Sequence, residues 1–201
     1  VGTAASHRLS PVQPVFVIDC SIMAQPPTIK TKRLLVRAFK DDDVEGLTSV
    51  FNDLEAMWDV IAIPGMPRVP RAVAEKRITD SIAGWRDHDA GFWALVIADV
   101  ELGPVGDIIG YCGFVNPSAG EAKVELDEHG ALEVGWGIHP AYQRRGLARE
   151  AMTSVLDYAF NQRGCVSLIA ITDPENYASQ TLSQHLGFEF DCEINAYGTV
   201  Q

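Results

Sequence analysis

From Leu34 onward the apolar residues fall into blocks that switch between strand-like and helix-like spacing. Leu34-Leu35-Val36-Arg37-Ala38-Phe39 predicts a first strand. Asp41, Asp42 and Asp43 then offer N-caps and favourable charge to a helix running through about Glu55. Pro64, Pro67 and Pro70 make residues 61–71 a loop. Ile78, Ile82 and Trp85 line one face of a second helix, about residues 72–88. Strands follow over residues 92–98 and 107–115, linked by a turn at 102–106. A polar, acidic connection (116–130) leads to a strand at 132–139, ended by Pro140.

The next helix, about residues 145–161, carries Leu147, Ala148, Ala151, Met152, Val155, Leu156, Ala159 and Phe160 on one broad apolar face. Residues 166–172 predict a buried strand, 176–186 a last helix stopped by Gly187, and 188–194 a final strand. The order is one strand, two helices, three strands, helix, strand, helix, strand. That is a mixed α/β chain, hairpin-rich at first and with a β-α-β crossover later.

Composition narrows the class. The chain has 201 residues, 47% hydrophobic and 21% charged, which suits one domain with a real core. Residues 1–30 read as an irregular tail broken by Pro11, Pro14, Pro26 and Pro27, with Met23 a candidate start; residues 31–201 read as a single domain. The apolar run Val15-Phe16-Val17-Ile18 is cut by Asp19, so neither a membrane span nor a signal peptide is expected. The net charge of −11 repels nucleic acid and anionic membranes and favours a cationic partner. Cys20, Cys112, Cys165 and Cys192 form no C-x-x-C unit and read as reduced, buried thiols of a cytoplasmic protein. The five histidines show no metal-ligand spacing, and no metal is expected. A P-loop is excluded, because no G-x-x-x-x-G-K-S/T occurs.

The sharpest chemistry lies in Gln143-Arg144-Arg145-Gly146-Leu147-Ala148. This Q-x-x-G-x-A pattern sits between a predicted strand and a predicted helix. Small residues let the backbone approach an anion, and the free N–H groups and dipole of a helix start favour negative charge. Arg144, Arg145 and Arg149 add full positive charges. The pattern fits a pyrophosphate cradle.

The stretch Leu132-Glu133-Val134-Gly135-Trp136-Gly137-Ile138-His139-Pro140 leading into the cradle, followed by Asn176-Tyr177-Ala178-Ser179 and Leu186-Gly187-Phe188, resembles the GNAT superfamily of N-acyltransferases. The resemblance covers about residues 31–190. The opening Thr31-Lys32-Arg33-Leu34-Leu35-Val36-Arg37 is most similar to the branch containing ribosomal-protein N-terminal acetyltransferases. It implies a central, mostly antiparallel, splayed sheet flanked by helices. It also implies acetyl-CoA as co-substrate and direct acetyl transfer to a primary amine, either a protein N-terminus or a small cationic amine.

Residue by residue, the resemblance places Gln143, Arg144, Arg145, Gly146, Leu147 and Ala148 on the pyrophosphate. Ile138 and the strand edge around it fall on pantetheine, and Asn176 and Ser179 fall beside the thiol arm. Glu133 is the candidate general base, with a structural or substrate-binding carboxylate as the alternative. Ser179 is a candidate acid for the leaving thiolate, while Asn176 doubles as a helix N-cap. Many relatives carry a tyrosine acid where Leu182 and Ser183 stand here. Only 13 residues follow Phe188, so the last strand of the family is expected to be missing, either truncated or supplied by a second subunit in a homodimer. These departures keep a non-catalytic acyl-CoA-binding module as the competing reading.

Overall fold

Six strands form one sheet in chain order in the computed structural model, which describes residues 26–53, 69–115, 132–193, 195–196 and 199–200. The strands are β1 (Ile29–Lys30), β2 (Leu34–Ala38), β3 (Phe92–Ile97), β4 (Ile108–Val115), β5 (Leu132–Ile138) and β6 (Leu168–Ile169). Neighbours from β1 to β5 are antiparallel, and β5 and β6 are parallel. The parallel pair requires a crossover, and α3 (Leu147–Asp157) supplies it. Helices α1 (Val44–Asp53) and α2 (Pro70–His88) lie between β2 and β3 in the chain, and α4 (Tyr177–His185) follows β6.

Alternation along the strands builds a core on each face of the sheet. On one face Trp93, Leu95, Ile97, Ile109, Phe114, Val134 and Ile138 pack with Leu147, Ala151, Met152 and Val155 of α3. On the other, Phe92, Ala94, Val96 and Tyr111 pack with Leu47, Val50 and Phe51 of α1 and with Val73, Ala74 and Ile78 of α2. Strand β3 is therefore buried on both sides, which is why it reads as an unbroken apolar run. Close approach of β4 and β5 depends on Gly110, where a Cβ would lie 2.1 Å from the Gly137 carbonyl oxygen.

Several boundaries differ from the sequence reading. Ile29–Lys30 pairs with β2, and the Pro27 carbonyl accepts the Trp93 indole N–H at 3.0 Å, so the irregular tail stops short of residue 30. Of the three aspartates before α1, Asp43 does the capping: its carboxylate accepts the Lys40 N–H at 2.8 Å and a bidentate pair from Arg37 at 2.6 and 2.8 Å. Pro70, assigned to a loop, opens α2, because its missing N–H costs nothing at a first helical position. Ile82 is exposed rather than part of the apolar face. Helix α3 ends at Asp157 in a wider turn (Tyr158–Gln162) that leaves Phe160 45% exposed.

The buried strand expected over 166–172 shrinks to Leu168–Ile169, with Val166 at 86% exposure. It is the edge strand, and it loses its partner once it leaves β5. Residues 188–193 form no strand. The short pair β7 (Asn195–Ala196) and β8 (Thr199–Val200) makes a separate two-stranded sheet.

Trp85 and Trp93 are core residues, with ring centroids 4.4 Å apart. Cys112 is buried and its thiol pKa is pushed up by burial, Cys165 is half-buried, and Cys192 is exposed, against the expectation of a buried thiol. Expectations for Cys20, Met23, residues 61–68 and the 116–130 connection fall outside the described residues. Among the described residues no helix is long and apolar enough to cross a membrane.

Candidate functional site

Strands β5 and β6 meet only at Leu132↔Leu168 and Glu133↔Ile169. Among the described residues no pairing joins them beyond Glu133, and β5 continues to Ile138 with no strand paired to that edge. The wedge has Glu133 at its closed end and the cradle segment at its mouth. Five strand steps take the chain from Glu133 to Ile138, roughly 17 Å.

At the mouth the chain turns sharply. His139 accepts the Ala141 N–H through Nδ1 at 3.2 Å and starts a 3-10 turn, Pro140–Tyr142. The Gln143 side-chain amide donates to the Ile138 carbonyl at 2.9 Å, tying the end of the loop to the end of β5. Ile138 thus offers the loop its carbonyl while its side chain is buried in the core. Arg144 (φ 62°) and Gly146 (φ 74°) both take left-handed conformations. Gly146 is the N-cap of α3 and brings no side chain to the helix end.

The first intrahelical bond runs from Glu150 N–H to Gly146 C=O at 3.0 Å. Among the described residues, the N–H groups of Arg144, Arg145, Gly146, Leu147 and Ala148 find no protein acceptor. Orphaned donors, a helix dipole and the exposed Arg144, Arg145 and Arg149 together suit a multiply charged anion. Arg145 also lies 5.4 Å from the centre of the Tyr142 ring. A Cβ at Gly146 would have room, its nearest neighbour being Arg33 Nη2 at 3.8 Å, so the requirement is for backbone conformation alone. Gly146→Ala is expected to cost about 1–2 kcal/mol of left-handed strain and to weaken acetyl-CoA binding, as read by titration calorimetry.

A latch behind the cradle holds it in place. Glu150, one turn into α3, accepts the Thr31 hydroxyl at 2.6 Å, the Arg33 backbone N–H at 2.7 Å and Arg33 Nε at 2.7 Å. Arg33 Nη1 donates to the Arg145 carbonyl at 3.0 Å. The segment before β2 therefore grips both α3 and the loop. Burial alone would raise the Glu150 carboxyl, but the hydrogen bonds from Thr31 and Arg33 outweigh it and hold the pKa below the ordinary 4.5. A depressed carboxylate stabilises the fold above its unfolded pKa and loses that contribution as pH falls through its folded value. Acetyl-CoA affinity measured across pH is expected to be insensitive to this latch from neutrality down to the ordinary 4.5, and to weaken below it.

The remaining expected residues are placed as follows. Glu133 is 7% exposed. Strand alternation puts it on the same face as Gly135 and Gly137, opposite Val134 and Ile138 and towards α1 and α2. Asn176 caps α4, its side-chain oxygen accepting the Ser179 N–H at 3.1 Å. Asn176 and Ser179 are half-buried, whereas Tyr177 is 72% exposed and faces away. The Ser183 hydroxyl and the Thr172 hydroxyl are buried without a hydrogen-bond partner among the described residues. His139 Nε2 meets the Asp53 carboxylate at 3.0 Å. Sequence reasoning missed the latch and the Asp53–His139 pair. Their partners lie far apart in the chain, and no local spacing announces them.

A sheet that opens between two parallel strands, with an anion cradle at the opening, defines the architecture of an N-acetyltransferase. The family model described as "Acetyltransferase (GNAT) domain" matches residues 33–189. The chain therefore belongs to the GNAT acetyltransferase family and is an N-acetyltransferase that uses acetyl-CoA. It is 28% identical over 160 residues to the uncharacterized N-acetyltransferase YnaD of Bacillus subtilis (strain 168), covering 79% of this chain and 81% of that one.

Among solved structures, a GnaT-family acetyltransferase of Bordetella pertussis superposes with a TM-score of 0.67 at 22% identity, covering 87% of this chain and 96% of that one. The ribosomal-protein-S5-alanine acetyltransferase of Vibrio fischeri superposes with a TM-score of 0.65 at 19% identity, covering 87% and 91%. At such identities these two structures speak for the fold alone.

Proposed function

We propose that the chain transfers the acetyl group of acetyl-CoA directly to a primary amine, with the acyl donor lying along the open edge of β5. The observation that carries this reading is the wedge: orphaned backbone donors at its mouth and a buried carboxylate at its closed end. In it, the N–H groups of residues 144–148 and the surrounding arginines hold the pyrophosphate, with Gln143 fixing the loop. The edge at Ile138 receives the amide-bearing arm, and Asn176 and Ser179 lie beside the thiol end. The bound co-substrate supplies an activated thioester.

Glu133 takes a proton from the amine, directly or through a water, as the new C–N bond forms and the C–S bond breaks. Ser179 is the candidate donor to the departing sulfur. The region where many relatives carry a tyrosine acid holds Leu182 and Ser183, and the Ser183 hydroxyl is buried. The net charge of −11 attracts the protonated form of an amine at the level of the whole molecule. The opening at residues 31–37 supports a protein N-terminus as one form of that amine, and the free cysteines suit action in the cytoplasm.

The test is release of free thiol from acetyl-CoA with a panel of primary amines, run beside calorimetric titration of CoA. Turnover with at least one amine supports the proposal. Tight CoA binding with no turnover on any peptide or small amine would replace it with the acyl-CoA-binding module.

A further inference from the structure

Arg77 of α2 is the feature that the transfer reaction leaves unused. Nine arginines lie in the described residues, and they sort into groups. Arg33, Arg37, Arg71, Arg86 and Arg163 each pair with a carboxylate. Arg144, Arg145 and Arg149 surround the cradle. Arg77 belongs to neither group, in a protein with 27 acidic side chains against 16 basic ones. Its guanidinium carbon sits 4.5 Å from the centre of the Phe92 ring and 4.8 Å from that of Tyr111. Its Nε is buried and has no hydrogen-bond partner among the described residues. Sealing a cationic donor away from water without an acceptor is costly, and stacking on two rings offsets only part of that cost.

Position gives this cation a meaning. Phe92 and Tyr111 are the rings that Gly135 and Gly137 back onto: a Cβ at Gly135 would lie 3.2 Å from Phe92, and one at Gly137 would lie 2.6 Å from Tyr111. Gly135 is one pleat along β5 from Glu133 and on the same face, about 7 Å by strand rise. The guanidinium is therefore held by two rigid rings on the same face of the sheet as the candidate base. An Arg fork fixed in this way matches the paired oxygens of a carboxylate or phosphate.

We infer that Arg77 anchors an oxyanion on the acceptor, so that the preferred acceptor is a small amine that also carries a carboxylate or phosphate. The inference rests on the proposed transfer to a primary amine and narrows the substrate class at that same site. Arg77 is on this account a specificity-determining residue, not a catalytic one.

Three amines of similar size test it: β-alanine, O-phosphoethanolamine and propylamine. The wild-type protein is expected to show a KM for at least one of the two anionic amines lower than that for propylamine by roughly tenfold or more, the scale of a charge-assisted hydrogen bond. Which of the two gains identifies carboxylate or phosphate as the anchored group. In Arg77→Met, which keeps apolar contact with the rings, that KM ratio should collapse towards one while the KM for acetyl-CoA stays put. Arg77→Lys should restore part of the ratio.

Equal KM values in the wild-type protein, or an unchanged ratio in Arg77→Met, would overturn the inference and leave Arg77 a packing residue. Calorimetric binding of the two anionic amines, without acetyl-CoA, separates the two levels of the argument. Binding that is present in the wild-type protein and lost in Arg77→Met upholds the anchor even if no acetyl transfer is found. No binding, or binding that the variant retains, removes it.

Discussion

Glu133→Gln is expected to lower turnover by about 10²–10⁴-fold, the contribution typical of a positioned general base, while acetyl-CoA binds as before. The exchange keeps the shape of the side chain and removes its charge, and with it the ability to accept the amine's proton. Glu133 is nearly sealed from water, at the one place where β5 is paired on both sides. Its backbone is thus held rigidly where the wedge closes. A carboxylate kept only for structure would give the opposite pattern, with a lowered unfolding temperature and an intact rate per folded molecule. Stopped-time assays of thiol release, calorimetric CoA titration and thermal unfolding on the same preparation separate the two.

The second large effect is expected from Glu150→Ala. Deleting this carboxylate leaves the Thr31 hydroxyl, the Arg33 backbone N–H and the Arg33 guanidinium without their shared acceptor. Hydrogen bonds to a charged group contribute about 1.5–3 kcal/mol each. The pair is partly solvated and water replaces some of what is lost, so a net loss of about 2–3 kcal/mol is expected. The effect should fall mostly on acetyl-CoA affinity, because Arg33 also holds the Arg145 carbonyl and with it the loop that presents the free N–H groups. Arg33→Ala should reproduce it, and the double variant should cost little more than either single change, since both remove the same interaction. An acetyl-CoA Kd unchanged in both variants would show that the cradle holds its shape without the latch.

The cradle was legible in the chain because its physics is local. Gly146 after Arg144-Arg145, with a helical apolar stripe beginning at Leu147, already specifies a left-handed cap and a helix start whose donors point outward. Asn176 and Ser179 were legible for the same reason, since capping acts across three residues. Strand β3 was plain from its unbroken apolar run. Errors gathered where one pattern serves two structures. Pro70 signals a loop or a first helical turn equally well, and only the packing of Val73 and Ala74 against the sheet decided for the helix. The apolar run 166–172 looked like a core strand, but a strand needs a neighbour, and β6 leaves β5 after Ile169.

By itself, the sequence determined the family, the run of elements from β2 to α4 and with the family the use of acetyl-CoA, because propensity, capping and short motifs act over a few residues. Tertiary structure decided what depends on partners distant in the chain. It joined Arg33 to Glu150 across 117 positions, set Glu133 at the closed end of the wedge, and left Arg77 on two aromatic rings without a counter-charge among the described residues. Charge pairing and burial depend on distances in space, and spacing along the chain does not encode them.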